Sequence, residues 1–273
     1  MNPKPSLEIL IATMNRKDLS FVDAMFPVLD LSRYRLLIIN QTRLEEDLIS
    51  NVEGIRVINS REFGLSKSRN LGIENASGDI LLIADDDIEY LPDFDKTILE
   101  AYQTYNEASL ISFQFLADRP EYMKCYPKKD GYTKSRKQSL TSFEISFLRA
   151  DIQSNKIIMN ENFGLGAVFP SAEEQVFKDD VLKKGLKIAY VAKPIVKHFG
   201  KTTGYDQSDV DFIRAITAQK FLSYGTYSYL WLFKFVFFLY RHRYISFFEQ
   251  VKAYQTGMRA ILEIKEINNE SKL

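Results

Sequence analysis

The first 120 residues of the chain alternate short apolar runs with amphipathic stretches. The apolar runs are continuous rather than alternating, which is typical of strands covered on both faces of a sheet. They lie at residues 7–13, 35–40, 55–60, 79–85 and 109–117. The amphipathic stretches have helical spacing and lie at residues 21–31, 65–76 and 93–105. The pattern predicts an α/β fold with a mostly parallel sheet flanked by helices, which binds ligands at the carboxyl ends of its strands.

The second half of the chain is less regular. Residues 118–140 are polar and rich in turn formers, which predicts a loop. Residues 142–152 predict a strand, and a helix that stops at Gly185 then leads into a strand ending at His198. From about residue 208 the pattern predicts helices rich in aromatic side chains.

Charge and cysteine content argue against two kinds of ligand, nucleic acids and zinc. The chain has 36 basic and 36 acidic residues, so no net field attracts a polyanion, and no nucleic-acid partner is expected. Cys125 is the single cysteine and His198 and His242 are the two histidines, which excludes a zinc site built from Cys or His clusters. The N-terminal apolar run breaks at polar residues and has no cleavage pattern, so we expect a cytoplasmic protein.

Three consecutive carboxylates, Asp85, Asp86 and Asp87, follow the fourth apolar run. A divalent cation most simply relieves their repulsion at the end of a buried strand. Mg²⁺ or Mn²⁺ takes one or two carboxylates and fills its other positions with water and substrate phosphate oxygens. The triplet therefore indicates a metal-assisted phosphate site, and a solvated acidic turn is the alternative interpretation.

Residues 63–79, just before that strand, form a second candidate site. Gly64 gives the backbone room, and Ser66 and Arg69 are among the donors in the first turn of a predicted helix, whose amino end attracts anions. This is a candidate nucleotide-binding segment. An ordinary amphipathic helix with Ser66 or Ser68 as its N-cap explains the same pattern.

Another predicted helix begins after the glycine-containing stretch 163–166. Ser171 and Glu174 match a capping box, in which Glu174 bonds back to the Ser171 amide, although the same carboxylate is also a candidate catalytic group. His198 closes an apolar strand, a position where a single histidine is more often structural.

Three segments together resemble family 2 glycosyltransferases of the GT-A fold. They occur in the family's order and approximate spacing at residues 11–16, 63–94 and 163–200. The resemblance covers about residues 6–204 and implies a GT-A type sheet. It also implies transfer of a sugar from a nucleotide-diphosphate donor to an acceptor hydroxyl, with inversion at the anomeric carbon.

The resemblance implies roles for individual residues. Asp85 and Asp87 match the two acids of the DXD motif, with Asp86 between them, and contact the ribose and the metal-bound diphosphate. The implied ligands of Mn²⁺ or Mg²⁺ are Asp87, Asp85 and His198. The implied donor-binding positions around the base and ribose are Thr13, Arg16, Ser66 and Arg69.

The chain departs from the family pattern at two places. Glu174 stands where relatives usually have the aspartate that acts as general base, counted back from Gly185, so both Glu174 and Glu173 are candidates for the base. Asn40 and Gln41 stand where relatives often have an Asp pair that reads the nucleotide base. Their side chains can still form hydrogen bonds with a donor.

The expected function is metal-dependent inverting transfer of a sugar to a glycan or lipid-linked glycan in bacterial surface polysaccharide synthesis. We expect a catalytic domain at 1–204, with nucleotide-sugar binding in 1–117 and the acceptor side in 118–204, followed by a helical extension at 205–273. The alternatives are an inactive relative that binds a sugar nucleotide and a sugar nucleotidyltransferase. The latter needs a Gly-rich basic loop after the first strand, which the sequence lacks.

Residues 221–240 form an apolar run nearly long enough to span a bilayer. Lys234 disfavours a span, since a central lysine costs about 2.5 to 3.5 kcal/mol on insertion. We expect the run to lie against the inner face of the plasma membrane or against an apolar acceptor tail. A helix pair packed on the catalytic core is the alternative. The membrane expectation depends on Tyr229, Trp231, Phe235, Phe238 and Tyr240, bordered by Lys234, Arg241 and Arg243.

Overall fold

A mixed β-sheet lies at the centre of the protein. The computed structural model describes residues 5–43, 45–133, 139–200 and 206–270. The strands are β1 Leu7–Met14, β2 Arg35–Gln41, β3 Ile55–Ser60, β4 Ile80–Asp85, β5 Ile88–Tyr90, β6 Ala108–Ala117, β7 Gly131–Thr133, β8 Ile145–Leu148 and β9 Lys187–His198. The helices are α1 Ser20–Met25, α2 Leu65–Asn75, α3 Phe94–Thr104, α4 Arg149–Ser154, α5 Glu173–Lys183, α6 Val210–Tyr224, α7 Ser228–Arg241 and α8 Glu249–Glu270.

The strand order is β3-β2-β1-β4-β8-β6-β9-β5, and β7 also pairs with β9. Strands β1 to β4 run parallel, and β8 runs antiparallel between β4 and β6. In this register Thr13 lies opposite Asn40, and Ala12 lies opposite Asp85. The carboxyl ends of β1, β2 and β4 therefore meet at one edge of the sheet, as the sequence pattern predicted.

Apolar side chains cover the sheet on both faces, which confirms the interpretation of the continuous apolar runs. In β1, Ile9 and Ile11 pack with α1 and α3 on one face, whereas Leu10 packs with α2, α4 and α5 on the other. Helix α2 approaches the sheet closely at Gly72, where an added Cβ would lie 3.6 Å from side-chain atoms of Ile39 and Leu10.

Two elements differ from their predicted extents. The helix predicted at 21–31 ends at Met25 because Pro27 cannot continue it, and a short 3₁₀ turn follows at Leu31–Arg33. The strand predicted at 142–152 is confirmed at Ile145–Leu148 and is wrong on both sides, since a 3₁₀ turn at Ser142–Glu144 precedes it and it ends at Leu148. There β8 loses its partner, because Leu148 pairs with Ile80, the first residue of β4, and the chain turns into α4.

The predicted loop at 118–140 contains two short elements, a 3₁₀ turn at Pro120–Tyr122 and the strand β7, and residues 134–138 of it lie outside the described part. The predicted helix stop at Gly185 is confirmed, since Gly185 adopts φ +77° just after α5. That left-handed conformation favours glycine.

The C-terminal helices pack directly on the sheet domain. Phe163, Phe169 and Val176 form one apolar cluster with α6 and α8 residues such as Ala215 and Ala260. Helix α7 packs on α8 in a second cluster. The predicted helical, aromatic-rich C-terminal region is therefore confirmed, and the boundary proposed at 204–205 falls outside the described residues. Among the described helices, none is both long enough and apolar enough to cross a membrane.

Candidate functional site

A cleft of 1160 Å³ opens at the carboxyl edge of β1, β2 and β4. Its walls come from strand ends, from the start of α5, from the 121–125 and 139–143 segments, and from the C-terminal helices. The lining side chains with functional groups include Thr13, Gln41, Arg69, Asp85, Asp86, Asp87, Glu173, Glu174, His198 and Lys220. The topology thus brings together most of the residues that the sequence singled out.

The three consecutive acids point to three different partners. Asp85 accepts from Arg69 Nη2 on Oδ1 at 2.8 Å and from Ser142 Oγ on Oδ2 at 2.7 Å. Asp86 accepts from the Thr13 hydroxyl and from Arg16 Nη2 at 2.6 Å. Arg69 and Arg16 therefore compensate the negative charges of Asp85 and Asp86 within the protein.

Asp87 is different, because its side chain is 65 % exposed to the cleft and solvent. Its Oδ2 lies 3.8 Å from His198 Nε2. Sheet pairing creates this proximity, since β5 begins directly after the triplet and Ile88 pairs with His198 of β9. The imidazole stacks on Phe143 with ring centres 5.0 Å apart. The neighbouring Asp87 carboxylate raises the pKa of His198 despite its burial.

This pair fits a divalent cation that also binds a diphosphate. A carboxylate oxygen and an imidazole nitrogen are suitable ligands for Mn²⁺, and two protein ligands leave positions for water and phosphate oxygens. Asp85 fits less well as a ligand, since both of its oxygens already accept hydrogen bonds. Among the described residues there is no group of three or more His, Cys, Asp or Glu side chains placed to hold a metal by themselves.

Arg69 connects the end of β4 with the start of α5 in the wall of the cleft. Its side chain is only 2 % exposed, and Nη1 donates to Glu173 Oε1 at 2.9 Å while Nη2 reaches Asp85. Glu174 Oε1 lies 3.7 Å from the same Nη1. Burial alone would lower the pKa of this guanidinium, but the three surrounding carboxylates outweigh burial and raise it. Arg69 is therefore a permanent buried cation.

Glu173 and Glu174 have distinct environments. Glu173 makes the direct bond to Arg69, whereas Glu174 is farther from the guanidinium. Burial and the adjacent Glu173 raise the pKa of Glu174 to about 8, and Arg69 only partly opposes them. A carboxylate with a raised pKa is a stronger base, which suits proton transfer near neutral pH.

The predicted capping box is absent. Helix α5 begins at Glu173, its N-cap is Ala172 in a left-handed conformation with φ +71°, and no side chain caps it. The Ser171 hydroxyl is buried and has no hydrogen-bond partner among the described residues. A box needs the serine at the N-cap, and the helix begins one residue too late for Ser171 to occupy that place.

Asn40 and Gln41 both lie at the end of β2 but differ in their exposure to the cleft. Asn40 is fully buried, and its amide bonds both to the backbone of Arg16 and to Asn59. Gln41 lines the cleft, and its Oε1 accepts from the Gly64 amide at 2.7 Å at the start of α2. Asn40 therefore holds the loop that carries Arg16, while Gln41 connects the cleft wall to α2.

Ser66 holds a loop in place instead of facing the cleft. Its hydroxyl donates to the Phe163 carbonyl at 2.6 Å, and neither Ser66 nor Ser68 caps α2, whose N-cap is Gly64. At Gly164, with φ +98°, an added Cβ would lie 3.1 Å from Ser66 Oγ and 3.3 Å from Glu173 Cδ. This glycine thus allows the 163–166 loop to lie between α2 and the start of α5.

Several cleft residues were not predicted from the sequence. Ser142 binds Asp85, and the buried Glu144 accepts hydrogen bonds from Lys124 and Tyr126, which anchors the 121–126 segment beside the cleft. Lys220 of α6 also lines the cleft, and burial lowers its pKa. Glu144 closes a capping box with Thr141, a local motif that predicts a helical turn but not a cleft, and Ser142 and Lys220 lie in no motif that marks a binding site.

Comparisons with known proteins agree with this architecture. The crystal structure of S. aureus TarS residues 1–349 superposes with a TM-score of 0.56 at 13% identity, covering 94% of this chain and 81% of that one. The same TarS fragment in complex with UDP-GlcNAc gives a TM-score of 0.56 at 13% identity, with 94% and 81% coverage. Its complex with UDP gives 0.55 at 14%, with the same coverage. At such identities the likeness shows a shared fold.

Sequence comparison identifies the family. No curated protein matches the chain significantly. The profile described as glycosyl transferase family 2 matches residues 8–164, more than half of the 273 residues. This match includes the strands that end at the cleft and all three consecutive acids, on a sheet of the GT-A type. The chain therefore belongs to glycosyl transferase family 2.

Proposed function

We propose that the protein is a metal-dependent inverting glycosyltransferase that uses a nucleotide-diphosphate sugar. One observation carries the proposal: a carboxyl group with a raised pKa, Glu174, shares a cleft with an exposed carboxylate and imidazole, Asp87 and His198. An inverting transfer needs a base on one side of the sugar and positive charge beside the leaving diphosphate on the other. The two groups suit these two roles.

The donor nucleotide would lie against the ends of β1, β2 and β4. Thr13 and Gln41 line this part of the cleft, and Asp86 accepts hydrogen bonds from Thr13 and from Arg16 beside it. A nucleotide-diphosphate donor is supported by the UDP-GlcNAc and UDP complexes of TarS. We assign Asn40 and Ser66 to positioning the donor-binding loops, because both side chains bond to backbone.

Asp87 and His198 would hold Mn²⁺ or Mg²⁺ together with the diphosphate oxygens. When bound, the ion neutralises the charge that develops on the departing diphosphate. Asp85 has a different proposed role. Through its bond to Arg69 it keeps a buried positive charge between the donor side and Glu173.

Glu174 is the proposed general base. The acceptor hydroxyl oxygen forms a bond to the anomeric carbon, and the bond from that carbon to the diphosphate oxygen breaks. The electron pair of that bond leaves with the diphosphate, and the hydroxyl proton passes to the Glu174 carboxylate. Glu173 stays bound to Arg69 and keeps the start of α5 in position.

The proposed acceptor is a hydroxyl group of a glycan or lipid-linked glycan, in the synthesis of a bacterial surface polysaccharide. The cleft extends from the strand ends to α6, where Phe212 and Lys220 line it. This second part of the cleft is the proposed place of the acceptor. An aromatic ring and an ammonium group are suited to a sugar face and to an anionic substituent.

Nucleotide binding and turnover test this proposal. Purified protein is incubated with UDP-, GDP- and dTDP-sugars, with Mn²⁺ or with excess chelator, and both thermal shift and donor hydrolysis are measured. A nucleotide at about 100 times its Kd adds roughly 2.7 kcal/mol of stability. We expect Mn²⁺ to be needed for turnover.

Asp87→Ala should abolish Mn²⁺-dependent turnover, whereas the matched control Glu53→Ala, an exposed acid between β2 and β3, should retain it. Full activity in excess chelator contradicts the metal role. Donor binding with neither hydrolysis nor transfer to any of a panel of glycan acceptors identifies the inactive sugar-nucleotide-binding relative instead.

A further inference from the structure

Helix α7 has one buried and one exposed apolar face. Leu232, Val236 and Leu239 are buried against α8 and α6. Leu230 and Phe233 lie on the opposite side and are 58% and 66% exposed. The structure therefore divides the aromatic residues of this region differently from the sequence analysis. Tyr229, Trp231 and Phe235 pack into the helix cluster, and Phe238 and Tyr240 remain exposed.

The exposed face continues into the turn between α7 and α8 and forms one apolar patch. Phe247 and Phe248 in this turn are 64% and 88% exposed. We call the whole patch the aromatic surface. Its members are Tyr227, Leu230, Phe233, Phe237, Phe238, Tyr240, Tyr244, Phe247, Phe248 and Val251. A cluster of this kind on a protein surface marks an interaction site.

The aromatic surface also carries positive charge. Lys234 and Arg241 are exposed on the same face of α7 as the apolar residues, three or four positions from Phe237 and Phe238. Arg243 and Lys252 are exposed in the turn after α7 and in α8, and the acidic residue between 227 and 252 is Glu249. Lys252 lies three residues after Glu249 and interacts with it electrostatically, whereas the positive charges of Lys234, Arg241 and Arg243 face solvent. The chain as a whole has equal numbers of acidic and basic residues, so this excess of positive charge is local.

Charge distinguishes between the possible partners of this surface. In a symmetric dimer the same patch meets itself, which would place the four cations of one copy near those of the other. An anionic lipid surface instead neutralises them while the aromatic rings enter the headgroup boundary. An amphipathic helix with an apolar face and bordering basic residues is the usual form of such a contact.

We propose that the aromatic surface binds the face of an anionic lipid bilayer, with α7 lying in the plane of the headgroups. Tyr244 belongs to this surface and also lines the catalytic cleft. The bound bilayer would therefore face the mouth of the cleft. This orientation rests on the proposed function and selects a lipid-linked glycan as the acceptor.

Vesicle flotation of the full chain tests the contact. The probes are phosphatidylglycerol vesicles and phosphatidylcholine vesicles, each at low and high salt. We expect binding to the anionic vesicles that weakens as salt rises, because screening reduces the attraction between lysine or arginine and lipid. The double variant Phe247→Ser/Phe248→Ser should lower the bound fraction about tenfold, since both rings are exposed and outside the helix core.

Val28→Ser/Ile49→Ser is the matched control. These two residues are 74% and 73% exposed but lie near β2, away from the C-terminal helices, so flotation should be unchanged. The thermal unfolding of each variant establishes that it is folded. If folded wild-type protein does not float with anionic vesicles at low salt, or the Phe variant floats as well as the control, the proposal is wrong.

Two further measurements separate the alternatives. A concentration-dependent increase in molecular mass that the Phe variant abolishes would identify a second copy as the partner and overturn the proposal. Nucleotide-induced thermal shift is independent of the aromatic surface. Loss of flotation with intact nucleotide binding contradicts only the membrane contact, whereas flotation without nucleotide binding contradicts only the proposed function.

Discussion

Glu173 and Glu174 are neighbours in sequence but have different partners in the fold. The first turn of α5 directs Glu173 to Arg69 at 2.9 Å and leaves Glu174 at 3.7 Å from the same nitrogen. Arg69 therefore holds the Glu173 carboxylate in a direct salt bridge. Glu174 is the group whose proton affinity is raised by burial and by its neighbour.

The first prediction compares the two glutamates in turnover. Glu174→Gln should lower kcat by about 10²- to 10⁴-fold, the usual contribution of a general base, because an amide cannot accept the proton of the acceptor hydroxyl. Glu173→Gln should lower it far less, since the amide oxygen can still accept from Arg69. Steady-state transfer assays measure both. Normal turnover of Glu174→Gln with loss in Glu173→Gln would move the base to Glu173.

The second prediction concerns pH and stability. The pKa of Glu174 is raised in the folded state to about 8 from its usual 4.5, so the folded protein binds more protons than the unfolded chain between these pH values. Its contribution to the free energy of unfolding therefore decreases as pH rises through this window. At pH 9 the Glu174→Gln variant should be more stable than wild type by a few kcal/mol, because each unit of pKa shift corresponds to about 1.36 kcal/mol.

Chemical denaturation at pH 5 and pH 9 checks this expectation. At pH 5 the wild-type carboxyl is largely protonated in the folded state, so the difference between wild type and Glu174→Gln should become small. An equal difference at both pH values would show that the substitution acts by packing and not by charge.

At the scale of elements, helices α7 and α8 approach each other closely at Gly257. A Cβ added there would lie 2.4 Å from Leu232 Cδ1, and Leu232 is fully buried. The close contact allows α7 to present its other face outward. Glycine at this helical position is therefore explained by packing, despite its low helix propensity.

The third prediction follows from this contact. Gly257→Val should lower the free energy of unfolding by about 1 to 3 kcal/mol, the usual cost of overpacking a core. In a Leu232→Ala background the space is partly free, so the same substitution should cost less. A double-mutant cycle by urea denaturation measures the coupling. Equal costs in both backgrounds would mean that the two residues do not interact.

At the scale of the whole molecule, Arg69 connects α2, β4 and α5 through its bonds to Asp85 and Glu173. The two acids lie far apart in sequence, so no local pattern pairs them. One buried guanidinium thereby links the donor side of the cleft to the start of α5, which carries the proposed base.

The fourth prediction is that Arg69→Met destabilises the fold. Removing the cation leaves the buried Glu173 carboxylate without its ion-pair partner and also takes the guanidinium away from Asp85, which should cost about 3 to 5 kcal/mol at pH 7.5. Urea denaturation at pH 7.5 measures this cost.

Arg61→Met is the control for this prediction. Arg61 pairs with Asp47, and both side chains are 53% exposed, so its removal should cost at most about 1 kcal/mol. If Arg69→Met costs no more than this control at pH 7.5, the buried network does not stabilise the fold.

The sequence alone predicted much of the fold. Continuous apolar runs between helical patterns determined the strands β1 to β4 and β6, because burial on both faces of a parallel sheet leaves a local signature. The same logic placed the acid triplet at the carboxyl edge of the sheet. The extents of α1 and β8 were less accurate, because a proline and the end of the partner strand β4 decided where these elements stop.

Only the tertiary structure decided how the site residues pair. The sequence could not separate the directions of Asp85, Asp86 and Asp87, because each direction depends on a partner from a distant element: Ser142 and Arg69, Thr13 and Arg16, and His198. The buried residues of α7 were likewise undetermined, since apolar residues occupy every side of the helix and contact with α8 selects which of them are buried. Long-range contacts determine which partner a side chain has and which face of a helix is buried, where composition and periodicity do not distinguish the alternatives.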